Sequence, residues 1–329
     1  MAKYKRYDYS QKLFIPVSLE DQLMPGTLEF AIHTLVETRM DMSIFDGNYK
    51  NDQTGRSAYD PKVLLKVVLL GYSRGLMSSR KIERACCENV IFMAISCNQR
   101  PDHSTIASFV ASMKDEISPL FTDILLVCEE EKLLGGTFFA LDGCKLPSNA
   151  SKRWSGKISD IKKKKEKIEQ KVKRLLAEQI EADKNDSDGL TELSNREKQI
   201  EKLQKQADRI DKWLKENDAK IGTTGKEIQS NITDNESAKM MTSHGTIQGY
   251  NGQTLVDKKH QIIMHAEAFG CGQDHGHLEP MLDGAKKNLQ EIGHSTDYFK
   301  GKILTADTNY HSHDNIEKCI EEELDAYIP

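Results

Sequence analysis

Two carboxylates stand where apolar runs end. The run "GTFFALDG" hands over at Asp142 and "KILTAD" at Asp307, and in both cases loop-forming residues follow. Each run is rich in residues that favour extended structure, so each reads as a short strand delivering an acid at its carboxyl end, where open α/β sheets place their chemistry. If the two strands are neighbours, the acids meet at one edge of the sheet. Close carboxylates repel unless a cation lies between them, and Mg²⁺ or Mn²⁺, which takes oxygen ligands and retains water, is the economical partner. Two such ions about 4 Å apart activate a water or a sugar hydroxyl and stabilise the leaving oxygen of a phosphodiester. Asp also favours turns, so either acid alone reads as a turn residue. The pair, in this strand order, carries the chemical reading.

The elements that must position these acids follow from periodicity. After the strand at 136–142 come two charged helical segments, "SGKISDIKKKKEKIEQKVKRLLAEQIEADK" and "LTELSNREKQIEKLQKQADRIDKWLKEN", with the turn-like "NDSDG" between them. In the second, Leu193, Arg196, Ile200, Leu203, Ala207, Ile210 and Leu214 keep three- and four-residue steps; in the first the stripe is Ile161, Ile168, Val172, Leu175 and Ile180. The two predict an antiparallel, coiled-coil-like hairpin in which each helix buries the other's stripe. The lysine run 162–165 reads as a solvated face, and a face this basic could also touch phosphates. Then "GTIQGYNGQTLVD" and "QIIMHAEAFG" predict paired strands, "HLEPMLDGAKKNLQEIG" a helix, "KILTAD" a strand, "SHDNIEKCIEEE" a helix and "DAYIP" a strand. The sum is a mixed α/β sheet with a helical insertion.

The chain before residue 134 is helical throughout. "YDPKVLLKVVLLGY" has Asp60 as N-cap and Pro61 at the first helical position, and its apolar residues lie on nearly every side, so it predicts the buried centre of a small domain. "SSRKIERACCENVIFMAI" opens on a serine cap and breaks at Asn89. "RPDHSTIASFVASM" is capped by Asp102 or Ser104 and buries Ile106, Phe109, Val110 and Met113. Short helices with tight turns are compatible with a helix-turn-helix, which would place Arg100, His103, Ser104 and Thr105 near the start of a DNA-reading helix. A bundle that merely packs is the competing reading.

Composition sets the outer bounds. The chain has 329 residues and a formal net charge of −5, which argues against a uniformly basic nucleic-acid binder without excluding local basic patches. Seven cysteines without a CxxC pair suggest reduced, mostly buried thiols. The longest apolar run contains Lys66 and is too short for a bilayer, and "MAKYKRYDYSQK" lacks the apolar core of a secretory signal. The chain reads as cytoplasmic. His265, Cys271, Asp274, His275 and His277 are metal-ligand types at a spacing that fits neither a zinc finger nor HExxH, and read as a loop. "HSHD" at 311–314 reads as a helix cap beside Asp307. "GTTGKE" lacks the spacing of a phosphate-binding loop.

The windows "ALDGCKLPSNASK", "TDNESAKM", "GYNGQTLVDKKHQIIMHAEAF", "DHGHLEPML" and "ILTADTNYHS" together resemble the catalytic domain of DDE transposases of bacterial insertion sequences, specifically the insertion-sequence 1182 group. "FIPVSLEDQLMPGTLEFAIHTLVE" and the segment from Tyr59 to Ile95 resemble that group's helical N-terminal domain. The resemblance implies an RNase H-like mixed sheet over 135–155 and 238–329, the hairpin and linker inserted at 156–237, and an all-helical DNA-binding domain at 1–134. It implies Mg²⁺ or Mn²⁺ at Asp142 and Asp307, hydrolysis at transposon ends, and attack of the freed 3′-hydroxyl on target DNA without a covalent enzyme intermediate. DNA is the implied partner, with a homo-oligomer assembled on it. Lys145, Asn149 and Lys152 become candidate DNA contacts, and Asp234 a residue serving the site. The group's third acid, a Glu, lies on a helix beyond the strand matching "DAYIP", and no residue here matches it. The resemblance therefore implies a chain cut short and of doubtful activity. The alternative is a non-catalytic protein that holds transposon ends and inhibits an intact transposase.

Overall fold

The computed structural model describes residues 16–49, 57–185, 190–222 and 225–329. The N-terminal segment read above as no secretory signal, and residues 186–189 of the expected hairpin turn, lie outside these. The chain divides into two compact units, Met1–Lys132 and Leu133–Pro329.

The first unit is helical: α1 Leu28–Thr38, α2 Pro61–Ser73, α3 Ser79–Glu88, α4 Val90–Ile95, α5 His103–Ser112 and α6 Ile117–Glu130. Helix α2 begins as its sequence requires. The Asp60 carboxylate accepts the Lys62 N–H at 2.8 Å and Pro61 fills the first turn, where no N–H is needed. Leu64, Leu65, Val67, Val68 and Leu70 are buried, against Val36, Phe45, Ile82, Phe92 and Ile106. Asn89 ends α3 and caps α4, its side chain accepting the Ile91 N–H at 2.9 Å. Asp102, not Ser104, caps α5.

The second unit is built on β1 Phe138–Pro147. After β1 come β2 Ser155–Gly156, the helices α7 Ile158–Asn185 and α8 Leu190–Glu216, β3 Ser230–Asn231, β4 Ala238–Thr242, β5 Gly245–Asp257, β6 Ile263–Phe269, α9 Leu278–Glu291, β7 Ile303–Ala306, α10 His313–Glu321 and β8 Asp325–Tyr327. The sheet runs β4-β5-β1-β7-β8, with β6 also on β5. β1 pairs antiparallel with β5 and parallel with β7, and β7 pairs parallel with β8. Helices α9 and α10 cover one face, where Leu278, Met281, Leu282 and Cys319 meet Phe139, Leu141, Leu255 and Leu304.

Two expectations change. β1 does not stop at Asp142 but runs five residues further, because β5 is long enough to supply partners as far as Pro147↔Gly249. The apolar run stops earlier because β7 does: its last pair with β1 is Leu141↔Ala306, and beyond it β1 is a half-exposed edge. The thiols are also less buried than expected. Cys86, Cys128 and Cys319 are buried, whereas Cys87, Cys97 and Cys144 are exposed. The hairpin forms, with Val172, Leu175 and Ile200 buried between its helices, but Ile180 is 56% exposed. Its base is pinned by Ile161, Ile210, Trp213 and Ile232. Among the described residues no helix is long and apolar enough to cross a membrane.

Among the described residues of the first unit, Lys66 is a buried cation. Lys66, 1% exposed in the middle of α2, donates to Glu37 at 2.8 Å, and Glu37 also holds Lys62 at 3.1 Å. The hydrogen bond from Lys66 is the main reason the Glu37 carboxyl titrates below its ordinary value. A depressed acid stabilises the fold above its unfolded pKa, and that contribution is lost as the pH falls through the folded value. Removing the acid leaves an ammonium in an apolar core, whereas removing the ammonium leaves a carboxylate that is one-third exposed. Glu37→Ala is therefore expected to cost about 2 kcal/mol and Lys66→Met less than about 1 kcal/mol, measured by urea unfolding at neutral pH.

Candidate active site

Asp142 and Asp307 are the next register positions after the last parallel pair, Leu141↔Ala306. Neighbouring strands lie about 4.8 Å apart, and Asp307 is still extended, with φ −77° and ψ 173°. The two acids therefore leave adjacent strands side by side, and both are exposed. The Asp142 carboxylate accepts the Gly143 N–H at 2.7 Å. Asp307 caps the short 3₁₀ turn Thr308–Tyr310, accepting from the Asn309 backbone N–H at 2.9 Å and from its side-chain amide at 3.1 Å. These bonds fix both rotamers and leave acceptor capacity on each carboxylate, since a carboxylate has about four lone-pair sites.

Beneath the acids lies a polar network that the sequence reading did not find. Tyr310, buried at the end of the turn that Asp307 starts, donates its hydroxyl to Gln253 Oε1 on β5. The Gln253 amide donates to Asp274 at 2.9 Å, and Asp274 also receives Asn251 at 2.6 Å and the Lys145 ammonium at 3.0 Å. Burial first, and then the charges of Asp274, Asp142 and Asp307, push the Tyr310 hydroxyl's pKa upward, so this hydroxyl stays protonated near all three acids. Gly143 makes room for the bridge: a Cβ there would lie 2.3 Å from the Gln253 amide nitrogen. The available signal was Asn251 and Gln253 at alternate positions with buried Leu255, polar residues on the apolar face of a strand.

Other sequence candidates fall elsewhere. Lys145 is 21% exposed and committed to Asp274. Asn149 is exposed, and exposed Lys152 donates to the Thr246 carbonyl. In the first unit, Arg100 is exposed and its carbonyl accepts from Tyr59 at 3.1 Å. His103 Nδ1 lies 3.0 Å from Glu83, and Ser104 and Thr105 bond the capping carboxylate of Asp102. The histidine group does not gather: His277 stacks on Phe269 with ring centroids 3.9 Å apart, while His265 lies against Asn288 and Glu267. The stretch "HSHD" caps α10 as expected, through Ser312, whose hydroxyl accepts the Asn315 N–H at 3.2 Å. Asp234 accepts the Tyr250 hydroxyl at 2.7 Å and the Ser237 N–H at 3.2 Å, a turn-holding role.

Residues 17–112 match the model of a family of transposase domains, DUF772. The match supports a transposase family and falls within the helical first unit. No curated protein and no solved structure matches the chain. The matched segment includes α1 to α5 and with them Arg100, His103, Ser104 and Thr105.

Among the described residues no group of three His, Cys, Asp or Glu side chains is placed to hold a metal. The two acids, Asp142 within β1 and Asp307 just past β7, are a smaller donor set. Two hard oxygen ligands suit Mg²⁺ or Mn²⁺, which keep waters and take further ligands from phosphates, and do not suit a four-ligand zinc site. Asp274 is set apart from them by its donors. Burial alone would raise its carboxyl, but hydrogen bonds from Asn251 and Lys145 outweigh that and hold it below the ordinary value. Its stabilising contribution is complete above the unfolded value and declines as the pH falls through the folded one. Asp274→Ala strands three donors and should cost about 3 kcal/mol at neutral pH. The deficit should shrink as the pH falls below about 4, when protonation weakens the parent network, and urea unfolding at several pH values measures it.

Proposed function

We propose that the chain is a DNA transposase of the DDE type, of the insertion-sequence 1182 group, with an RNase H-like catalytic domain and a helical N-terminal DNA-binding domain. The single observation that carries the reading is the side-by-side emergence of Asp142 and Asp307 from parallel neighbours at the centre of the sheet. The strand order, with β6 and β5 antiparallel on one side of β1 and β7 and β8 parallel on the other, supports the RNase H-like part of the reading. The transposase-domain match at 17–112 supports the substrate class.

In this reading Asp142 and Asp307 hold Mg²⁺ or Mn²⁺. The cation supplies Lewis acidity to the phosphodiester when bound. The chain's own residues fix the geometry. Asn309 and the 3₁₀ turn hold the Asp307 rotamer, Tyr310 ties that turn to Gln253, and the Gly143 N–H orients Asp142. Hydrolysis at the element's end frees a 3′-hydroxyl, which then displaces a phosphodiester of the target. The protein forms no covalent bond to DNA, which suits a site of carboxylates without an activated nucleophile.

The test is strand cleavage of a duplex bearing the element's terminal repeat, with Mg²⁺, with Mn²⁺ and with chelator. Asp142→Asn and Asp307→Asn should each lower cleavage about 10³-fold, the scale for a group needed chiefly in the transition state. Affinity for the uncut duplex should change by less than about threefold. Calorimetric titration with Mn²⁺ gives a readout independent of turnover. Cleavage that survives both substitutions would sink the assignment of the acids. A parent chain that binds ends and cuts with neither metal would be the non-catalytic, inhibitory protein instead.

A further inference from the structure

Charge in this chain is unevenly placed. Against a formal net charge of −5 overall, residues 152–174 carry eleven Lys and Arg and only Asp160, Glu166 and Glu169 as acids. Part of this charge is used by the fold. Lys164 lies over the Trp154 ring at 4.5 Å and donates to the Arg153 carbonyl, while Lys165 is paired with Asp211 on α8 and with Glu169.

Four of the remainder are ordered, apart from Arg153, Lys157, Lys162 and Lys173. Lys163, Lys167, Lys171 and Arg174 recur at steps of four, four and three, so they share one face of α7, with about 6 Å of rise per four-residue step and about 16 Å in all. All four are exposed, whereas Ile161, Val172 and Leu175 turn the other way into the unit. Among the described residues Lys163, Lys167 and Lys171 form no ion pair; Arg174 has Glu178 at 3.3 Å. The sister helix provides an internal comparison. On α8, Lys205, Lys212 and Lys215 are paired with Glu201, Glu216 and Asp211 one turn away, and exposed Lys198 and Lys202 each follow an acid, Glu197 and Glu201, so no comparable stretch of that helix is free of acids.

We propose that the outward face of α7 binds the sugar-phosphate backbone of duplex DNA. A regular row of unpaired cations matches a polyanion of regular spacing, and each phosphate neutralised releases counterions. The face holds no aromatic or large apolar anchor, which a protein partner would require and a single strand would stack upon. The helix held as the DNA reader from sequence, α5, contains neither Lys nor Arg, and Lys145 is consumed by Asp274. The cations are therefore needed elsewhere, and α7 supplies them on a support that is held at its base. Trp213, Ile210 and Ile232 pack around Ile161, so the row is fixed to the unit that carries Asp142. The choice of DNA as the polyanion rests on the transposase reading.

The experiment measures binding of the full chain to random-sequence duplex DNA by fluorescence anisotropy, from about 50 to about 200 mM salt. One variant carries Lys163→Gln, Lys167→Gln and Lys171→Gln; a control carries Lys198→Gln, Lys202→Gln and Lys205→Gln on α8. Both keep good helix formers and lose the same charge. The α7 variant should bind at least tenfold more weakly at the lowest salt, with the slope of log K against log salt smaller by about 2.7, three phosphates at 0.9 each. The control should lose less than about one unit of slope. Protection of Lys163, Lys167 and Lys171 from acetylation by bound duplex is the independent readout. Equal losses in both variants would reduce the effect to net charge and overturn the inference. Unchanged binding by the α7 variant would overturn it and leave the transposase reading standing. Failure of the parent chain to bind any duplex would remove that reading and the inference together. Duplex RNA bound as tightly through the same lysines would overturn the choice of DNA.

Discussion

The unequal partnership of β1 governs the second unit. On one side the strand is hydrogen-bonded to β5 over its whole length, and on the other to β7 over only its first half. A strand with both partners must be apolar on its covered face, and Phe139 and Leu141 are fully enclosed. Asp142 alternates to the opposite face, where Phe138 and Ala140 are only partly buried, and past the end of β7 an acid can stand there without loss of solvation. The strand still cannot bend away, because β5 holds it. Asp142 is thus rigid and wet at once, a combination that a loop residue would not have.

The same break places Asp307. A short β7 ends in a turn, and Asp is a residue that turns favour, since its side chain can satisfy the first free N–H groups. Tyr310 then decides where the turn sits. Its ring is buried and its hydroxyl reaches Gln253, so the turn cannot swing out without exposing the ring and breaking a buried hydrogen bond. Gln253 in turn is oriented by Asp274, whose charge is balanced by Lys145. A lysine on the second half of β1 and an acid from the loop before α9 therefore act, through a buried amide and a phenol, on the position of the second carboxylate. Such a chain is costly unless every member is satisfied, and here the named donors and acceptors are matched.

Much of the fold was legible because its signals are local. The caps at Asp60, Asn89 and Asp102, the proline at the start of α2 and the alternation along β5 each act within a few residues, and the elements formed where they pointed. The order of elements was legible for the same reason. The extent of β1 was not, because residues 143–147 carry no alternation of their own and are extended only because β5 pairs with them. The short β4 was missed likewise: Lys239 and Thr242 mask a strand whose support comes from Thr246 to Gly249. At the site, the two acids could be read from the ends of apolar runs. Lys145 was readable as a basic residue near an acid, but its partner lies 129 positions away, and only the packed sheet brings them together. The histidines were read as a loop rather than a metal cluster, because their spacing fits no metal motif, and the structure agrees. His277 and His265, close in sequence, lie against different neighbours, Phe269 and Asn288.

The hairpin raises a separate physical question, how some eighty residues can enter a sheet next to its acid-bearing strand without distorting it. The small pair β2 and β3 answers it. Ser155 opposes Asn231 and Gly156 opposes Ser230, so the chain leaves and returns at one place. Asn231 closes the junction further, donating to the Ser151 carbonyl and the Ser155 hydroxyl and accepting from the Thr233 N–H. Once the ends are clamped, added length costs little, because closure entropy grows only logarithmically with the length of the loop. The helices then supply their own stability by burying each other's stripes and add little to the load on the sheet. An insert held in this way is free to vary in charge, since its outer faces touch none of the groups that place Asp142. The strand that carries Asp142 is constrained by β5 and β7, whereas the fold asks of the outward face of α7 only that it stay helical. That freedom explains how a row of cations can accumulate there in a chain that is acidic overall.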